Sequence, residues 1–487
     1  MKPVKRIGLA VSCLAITIFF SCLCMGDLFG DIGLEQMLWH LKNAELLARG
    51  HTDELKILRY GVTILLYVTL CCALFLYDRK IAAGLHAASG FLGSSRSLPI
   101  SGILRALRVG EICLSAAALA YLGHFAPEVW QMAKTQFWPE SVEDSAFIAD
   151  NYEVPALPAI SFPDGRNNLV ILLVESLEDT FEAYIPRLEA LRAEGVSTRN
   201  MRAAHGITWT IAAQTAWHFG LPLKNPVGIK RNHYISKNGF LPNAVSIFDI
   251  LAAHGYRCVL IMGTEAVFGG TDLLFTRHGG FEVRDKKYFD AQGHDRPENQ
   301  GTEWGYSDSF VLDRAFDAYR ELLEQGRPFA LMVATIDTHS PTGWAPPEER
   351  EFGDIRDAIR VADRNVSAFA RKLLALPEGH DRLALCVIGD HEYMGLPDFL
   401  KGRPERRLYN FFAGNIPAVP EEKLDAPLTA LDIAPTLLQM AGARWGSDRF
   451  GLGVSLFSPA PGLARKLGKK ALDEALAGRS KFYEKFY

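Results

Sequence analysis

Three long apolar runs open the chain, and the remainder alternates short apolar runs with amphipathic stretches. Residues 7–25 carry no charged side chain. Residues 60–77 carry none either and are bounded by Arg59 and by Asp78, Arg79 and Lys80. A third run, 109–130, is interrupted by Glu111 and His124. Each is close to the ~20 residues an α-helix needs to cross a bilayer. The pattern therefore predicts three transmembrane helices within a membrane anchor, residues 1–130.

Charge placement orients them. Lys2, Lys5 and Arg6 precede the first run, and Arg79, Lys80, Arg96, Arg105 and Arg108 lie between the second and third. The loop between the first two is mixed, with Asp27, Asp31, Glu35 and Glu45. Excess positive charge stays cytoplasmic. Three crossings then place everything after residue 130 on the periplasmic or extracellular side.

Residues 131–167 bring Pro139, Pro155, Pro158 and Pro163 among acidic and aromatic residues, which reads as an extended linker. Continuous apolar runs follow at 169–174, 258–262, 329–336 and 383–388. Strands apolar on both faces belong to sheets covered by helices on both sides. Helical patterns separate them: 185–194 with Pro186 in its first turn, 243–254 with Asn243 as cap, 354–376, and 431–440. The alternation predicts an α/β domain with a mostly parallel central sheet over residues 168–460. A basic tail, 461–487, reads either as a segment resting on anionic lipid or as a solvated terminal helix.

Composition narrows the classes. A net charge of −4 over 487 residues gives no basic signature for nucleic acid. Of the eight cysteines, only Cys258 and Cys386 fall in the soluble part, both inside predicted strands. They read as buried free thiols, an outer compartment leaving a disulfide open to them.

The chemistry sits where the apolar runs stop. Glu175 follows the first predicted strand and Asp390-His391 follows the fourth, after Gly389. In open α/β sheets, ligands gather at the carboxyl ends of the strands. Two carboxylates and an imidazole describe a site for a divalent cation such as Mn²⁺ or Zn²⁺. Between them, Gly206-Ile-Thr208-Trp-Thr210 offers hydroxyl nucleophiles. Thr208, Thr210 and Thr215 are all candidates; Thr210 leads because it opens a helix, whose amino end favours phosphate. A plain helix cap is the alternative role for it. His339, in Asp337-Thr-His-Ser-Pro341, follows the third strand, where it suits phosphate contact or proton transfer.

With these pieces placed, residues 168–458 resemble the alkaline phosphatase/sulfatase superfamily, and within it the lipoteichoic acid synthase and phosphoglycerol transferase I branch. The resemblance is carried by Leu173-Val-Glu-Ser-Leu177, Gly206-Ile-Thr-Trp-Thr-Ile-Ala212, Glu303-Trp-Gly305, Asp337-Thr-His339, Gly389-Asp-His391 and Leu431-Asp-Ile-Ala-Pro-Thr436. It implies that Glu175, Thr210, Asp390 and His391 hold one divalent metal ion, Mn²⁺ first, with Mg²⁺ or Zn²⁺ as alternatives. It further implies Thr210 as catalytic nucleophile, His339 as a substrate-binding residue, and a covalent phospho-threonine intermediate. The donor implied is phosphatidylglycerol and the acceptor a periplasmic glycan, on the bacterial inner membrane.

The sequence departs from the pattern in places. The Cys-x-Pro-x-Arg of sulfate-ester enzymes is absent. The Trp and Arg of the glycerol pocket find no counterpart around Met262-Gly-Thr-Glu-Ala-Val-Phe-Gly-Gly270. A phosphoethanolamine transferase and a metal-dependent phosphodiesterase are the alternative enzymes, and a non-catalytic binding module the alternative class.

Overall fold

The computed structural model describes residues 141–224, 235–236, 239–340, 342–394, 397–402 and 405–487. In the amino-terminal region it describes 11–21, 23, 59–69, 113–120, 123, 130, 134 and 138. The chain divides into two compact units, Met1–Lys134 and Thr135–Tyr487.

In the first unit, 11–21 and 113–120 are helical inside the first and third predicted spans, and 59–69 is helical from one residue before the second. Apart from 23, 123 and 130, the rest of those spans lies outside the described residues, among which no helix is long and apolar enough to cross a membrane. Thr17 and Thr63 turn their hydroxyls back to the carbonyls of Cys13 and Arg59, 2.8 Å in each case. A polar side chain is satisfied in this way within an apolar helix.

The second unit is built on six strands: β1 Asn168–Val174, β2 Arg257–Met262, β3 Glu282–Arg284, β4 Phe329–Ala334, β5 Leu383–Gly389 and β6 Asn410–Gly414. Their spatial order is β3-β2-β4-β1-β5-β6. All neighbours run parallel except β5 and β6. The fold is α/β with a mostly parallel sheet, as the sequence pattern predicts. Every residue of β1, β4 and β5 is buried, because helices cover both faces.

Successive strand side chains point to opposite faces, so each face has its own partners. Val170, Leu172 and Val174 join one cluster with Leu188, Leu191, Val311, Tyr319, Ile359 and Phe369. These come from helices α1 Pro186–Arg192, α4 Asp308–Glu324 and α5 Ile355–Leu374. Helices α2 Thr210–Phe219, α3 Ile247–Ala253 and α6 Ile433–Met440 form a second group packed on one another.

Several boundaries differ from the sequence reading. Helix α3 is capped by Ser246, not Asn243: the Ser246 hydroxyl accepts from Asp249 N–H while the Asp249 carboxylate accepts from Ser246 N–H, 2.9 Å each. Asn243 instead donates to the carbonyl of Lys485. Strand β4 ends at Ala334, before Ile336. Cys258 and Cys386 are buried free thiols in β2 and β5, and burial pushes Cys258 up to about 12.

Residues 141–167 include a short helix, Phe147–Asn151, and antiparallel bridges from Glu153 to Gly451 and from Ser161 to Arg444. The basic tail forms three short helices, Leu463–Leu467, Lys469–Ala477 and Lys481–Glu484. The segment buries Leu472, Leu476, Tyr483 and Phe486, leaves Lys466, Lys469 and Lys470 exposed and holds the buried Arg479 side chain against Glu484 at 2.8 Å.

Candidate metal and nucleophile site

Strands β1 and β5 lie in register from Asn168↔Leu383 to Val174↔Gly389. The next residue of each strand is therefore delivered to the same place, and those residues are Glu175 and Asp390. His391 follows Asp390. All three are buried to within 1%, and one donor atom from each lies within 4.8 Å of the others.

The turn after β1 is shaped to hold this arrangement. Ser176 adopts φ +52°, the left-handed region, costly for a side-chain residue. In that conformation its N–H donates to Asp390 Oδ1 (2.8 Å) and its hydroxyl to Glu175 Oε1 (2.7 Å). Gly389 is required for close approach: a Cβ there would stand 2.0 Å from the Leu177 carbonyl oxygen. Behind the turn, buried Glu178 is paired with Arg406, whose Nε donates to Oε2 at 2.9 Å, and accepts from Tyr393 N–H at 2.7 Å. The strand end and the loop after His391 are thereby tied together.

Thr210 completes the cluster from helix α2. Its hydroxyl lies 3.2 Å from Glu175 Oε2 and 3.3 Å from His391 Nε2. The helix cap is Trp209, with no side-chain cap bond, and Thr210 is the first residue of the helix rather than its cap. Thr208 is exposed outside the helix. Thr215 is buried, and its hydroxyl donates to the Ile211 carbonyl at 2.7 Å. Only Thr210, of the three candidates, stands at the carboxylates.

These residues fit a divalent cation. His391 Nε2 lies 3.4 Å from Glu175 Oε1 and 3.4 Å from Asp390 Oδ2. Bonds of ~2.0–2.1 Å in a tetrahedral site separate neighbouring ligands by about 3.4 Å. Asp390 Oδ2 is buried with no hydrogen-bond partner among the described residues, a costly state that a cation relieves. The His391 Nδ1–H donates to the Glu392 carbonyl (2.8 Å), which fixes the tautomer and leaves the Nε2 lone pair facing the cluster. Burial, reinforced by the charge of Glu175, raises the Asp390 carboxyl. Burial would lower His391, but Asp390 and Glu175 outweigh it and raise its pKa.

The third loop comes from β4. Thr338 donates its hydroxyl to the Glu175 carbonyl, anchoring the turn that carries His339. His339 Nδ1–H donates to the Ser340 carbonyl at 2.7 Å, leaving Nε2 for a substrate. Its ring lies 5.3 Å from that of Trp304, which lies 5.1 Å from Phe268. The sequence shows no counterpart of the pocket tryptophan around 262–270 and places Trp304 only within the Glu303-Trp-Gly305 motif. The structure brings Trp304 to His339 from a separate loop. A tryptophan in a glycine-flanked turn was the available signal.

Beneath this turn lies a second carboxylate pair. Asp308 N–H donates to Asp337 Oδ2 (2.9 Å), while Ile336 N–H (2.7 Å) and Asp337 N–H (3.2 Å) donate to Asp308. Burial raises both carboxyls; Glu175 adds to the effect on Asp308, and Asp308 to that on Asp337.

Comparison with known proteins finds relatives of this chain. Phosphoglycerol transferase I of Xanthomonas axonopodis pv. citri is 30% identical over 369 residues, covering 72% of this chain and 51% of that protein. The protein of the same name from Escherichia coli is 30% identical over 320 residues, covering 62% and 40%. The chain thus spans about half the length, or less, of these curated relatives. A solved structure of an alkaline phosphatase superfamily protein from Vibrio parahaemolyticus shares the fold. Its TM-score is 0.50 at 23% identity, covering 65% of this chain and 77% of that one. The family model described as Sulfatase matches residues 167–443, the span that carries all five site residues, and the chain belongs to the sulfatase family of the alkaline phosphatase superfamily.

Proposed function

We propose that this chain is a membrane-anchored phosphoglycerol transferase that moves the headgroup of phosphatidylglycerol to a cell-envelope glycan through Thr210. The observation that carries the reading is the position of the Thr210 hydroxyl. It stands at a helix amino end, within 3.2 Å of Glu175 and 3.3 Å of His391. The name borne by the curated relatives supports the headgroup. The apolar runs 7–25, 60–77 and 109–130 support the anchor, with residues 168–460 as the catalytic domain outside the cytoplasm.

Glu175, Asp390, His391 and the Thr210 hydroxyl would hold the cation, Mn²⁺ in our assignment, with Mg²⁺ or Zn²⁺ suited to the same donors. When bound, it supplies Lewis-acid charge to the phosphoryl oxygens and lowers the pKa of the hydroxyl. The chain's own groups do the rest. Unpaired N–H groups at the start of α2 receive phosphate oxygens. The Thr210 proton leaves toward the acceptors that face it, and Oγ1 attacks phosphorus. The bond to diacylglycerol breaks, and the leaving oxygen takes a proton. His339 Nε2, when protonated, donates it; neutral, the same nitrogen accepts the proton of the incoming glycan hydroxyl. That hydroxyl then attacks phosphorus and releases Thr210.

A headgroup-transfer assay with the full chain in detergent tests this. Phosphatidylglycerol with Mn²⁺ should yield diacylglycerol and a phosphoglycerol-bearing oligosaccharide. Turnover of phosphatidylethanolamine in its place would reassign the donor, and release of free glycerol phosphate at the same rate with and without oligosaccharide would make the enzyme a phosphodiesterase.

A further inference from the structure

Trp304 and His339 stand on separate loops, and a reciprocal pair of bonds fastens those loops together. Asp308 is the first residue of α4, three residues after the turn of Trp304 ends, and Asp337 lies two residues before His339. Asp308 N–H donates to Asp337 Oδ2 (2.9 Å), and Asp337 N–H donates to Asp308 Oδ2 (3.2 Å). The other Asp308 oxygen accepts from Ile336 N–H (2.7 Å). The helix start does not require this, because Ser307 is the cap and its hydroxyl accepts from Phe310 N–H (3.4 Å). Both Asp308 oxygens therefore serve the turn that bears His339. The Trp304 loop closes directly on the pair: a Cβ on Gly301 would stand 2.8 Å from Asp337 Oδ1 and 2.6 Å from Ser307 Cα.

The same turn is held on its other sides. Glu175 N–H donates to the Thr335 hydroxyl (3.0 Å), the Thr338 hydroxyl to the Glu175 carbonyl, and the Ser340 hydroxyl to the Met394 carbonyl (3.0 Å). Those bonds tie it to the strand end of Glu175 and to the loop after His391; Asp308 ties it to the loop of Trp304. The arrangement is expensive. Both carboxyls are buried to within 1%, and neither has a Lys, Arg or His partner among the described residues. Asp337 Oδ1 has no hydrogen-bond partner among them either, a costly state for a buried polar atom. Apolar packing would join the two segments at less cost, but it would not fix the direction of two main-chain N–H groups. Two accepted N–H bonds and the amino end of α4 favour charge on Asp308, which leaves the proton of the pair to Asp337.

We propose that Asp308 is a positioning residue: with Asp337 it locks the 336–339 turn onto the Trp304 loop and so sets where His339 presents Nε2 to substrate. The kinetic consequence rests on the role given to His339 above; the clamp itself does not.

The test is a double-mutant cycle on the full chain in detergent with phosphatidylglycerol and Mn²⁺. Asp308→Asn keeps side-chain size but turns an amide donor toward one of the two N–H groups. It should lower kcat at least about tenfold, with calorimetric Mn²⁺ affinity within about twofold of wild type. In a His339→Ala background the same change should cost less than about twofold, because residues acting through one group are not additive. Asp337→Asn keeps the acceptor for Asp308 N–H and should recover most of the activity that Asp337→Ala loses. A reading free of turnover is the rate at which diethyl pyrocarbonate modifies His339, followed by peptide mass. Asp308→Asn should raise it at least about threefold as the turn loosens. Equal losses in the two backgrounds, a parallel loss of Mn²⁺ affinity, or unchanged His339 reactivity overturns the proposal. Where Asp308→Asn does not fold, Asp337→Ala carries the same cycle. The two readings fail separately. Full transfer activity in Asp308→Asn removes the clamp alone. No transfer by wild type, with His339 modified faster in Asp308→Asn, removes the transferase reading and leaves the clamp.

Discussion

Gly389 illustrates how a residue can be read correctly for an incomplete reason. From the sequence it marks a sharp turn at a strand end. In the structure it is the last residue of β5, and its missing Cβ lets Leu177 pass across it. A methyl group would meet backbone, which cannot swing aside as a side chain can. Gly389→Ala should therefore cost about 1–3 kcal/mol in denaturant unfolding and, by displacing Asp390, weaken cation binding; retention of both would show that the strand end yields. Thr210 and Thr215 make a matched pair for activity. Thr210→Ala should lose at least about a thousandfold in kcat. Thr215→Val should keep activity within about threefold, since its hydroxyl serves only the Ile211 carbonyl. Equal losses in the two would detach the nucleophile from the carboxylate cluster. Glu175, Asp390 and His391 were legible because each interrupts or ends an unbroken apolar run. The choice among three threonines was not, because it depends on where one helix begins relative to a distant strand. The contact of Trp304 with His339 was illegible for a similar reason: the two are 35 residues apart in the chain.

At the scale of elements, the central strands were legible and the edges were not. Strands β1, β2, β4 and β5 are continuous apolar words, whereas β3 and β6 are short and contain Glu282, Arg284 and Asn410. Helix α4 escaped the sequence reading although Phe310, Val311, Ala315, Ala318, Tyr319 and Leu322 recur at helical spacing; the charged residues between them diluted the stripe. Helix α2 carries a group with a measurable consequence. His218 is fully buried against Phe248 and Phe275, ring centroids 4.6 and 4.7 Å away, with its Nδ1–H donated to the Gln214 carbonyl. Burial lowers its pKa to about 3. Its folded pKa lies below the unfolded value of about 6.5, so the unfolded chain binds the extra proton between those limits. Stability contributed by neutral His218 is complete above pH 6.5 and falls on acidification, by up to about 1.4 kcal/mol per unit. Asp308 and Asp337, with raised values, act in the opposite sense: they favour the folded state at low pH and lose that contribution as pH rises. The difference between wild type and His218→Phe isolates the histidine. The variant should lose less stability between pH 6.5 and 5 in urea unfolding; parallel pH profiles would mean that His218 is protonated in the fold.

For the catalytic unit as a whole, the carboxyl terminus behaves as a clasp. Asp473 accepts from His205 N–H (2.8 Å), the Tyr483 hydroxyl donates to the Pro222 carbonyl (2.9 Å), and Lys224 Nζ donates to the Gly478 carbonyl (3.0 Å). These bonds hold the segments on either side of α2, the helix that presents Thr210. Ending the chain at residue 461 should lower the melting temperature by at least about 5 °C and reduce transfer. A truncated chain with unchanged melting and activity would make the tail dispensable to the fold. The cation adds to the stability of the same unit. Its removal by a chelator should abolish transfer and lower the melting temperature, and Mn²⁺ should restore both.

The most direct test of the central claim is the intact mass of the full chain after incubation with phosphatidylglycerol and Mn²⁺, without acceptor. A single phosphoglycerol adduct is expected, mapped to Thr210 by peptide sequencing and absent from Thr210→Ala. An adduct that persists in Thr210→Ala, or phosphoglycerol transfer that proceeds in that variant, would contradict it.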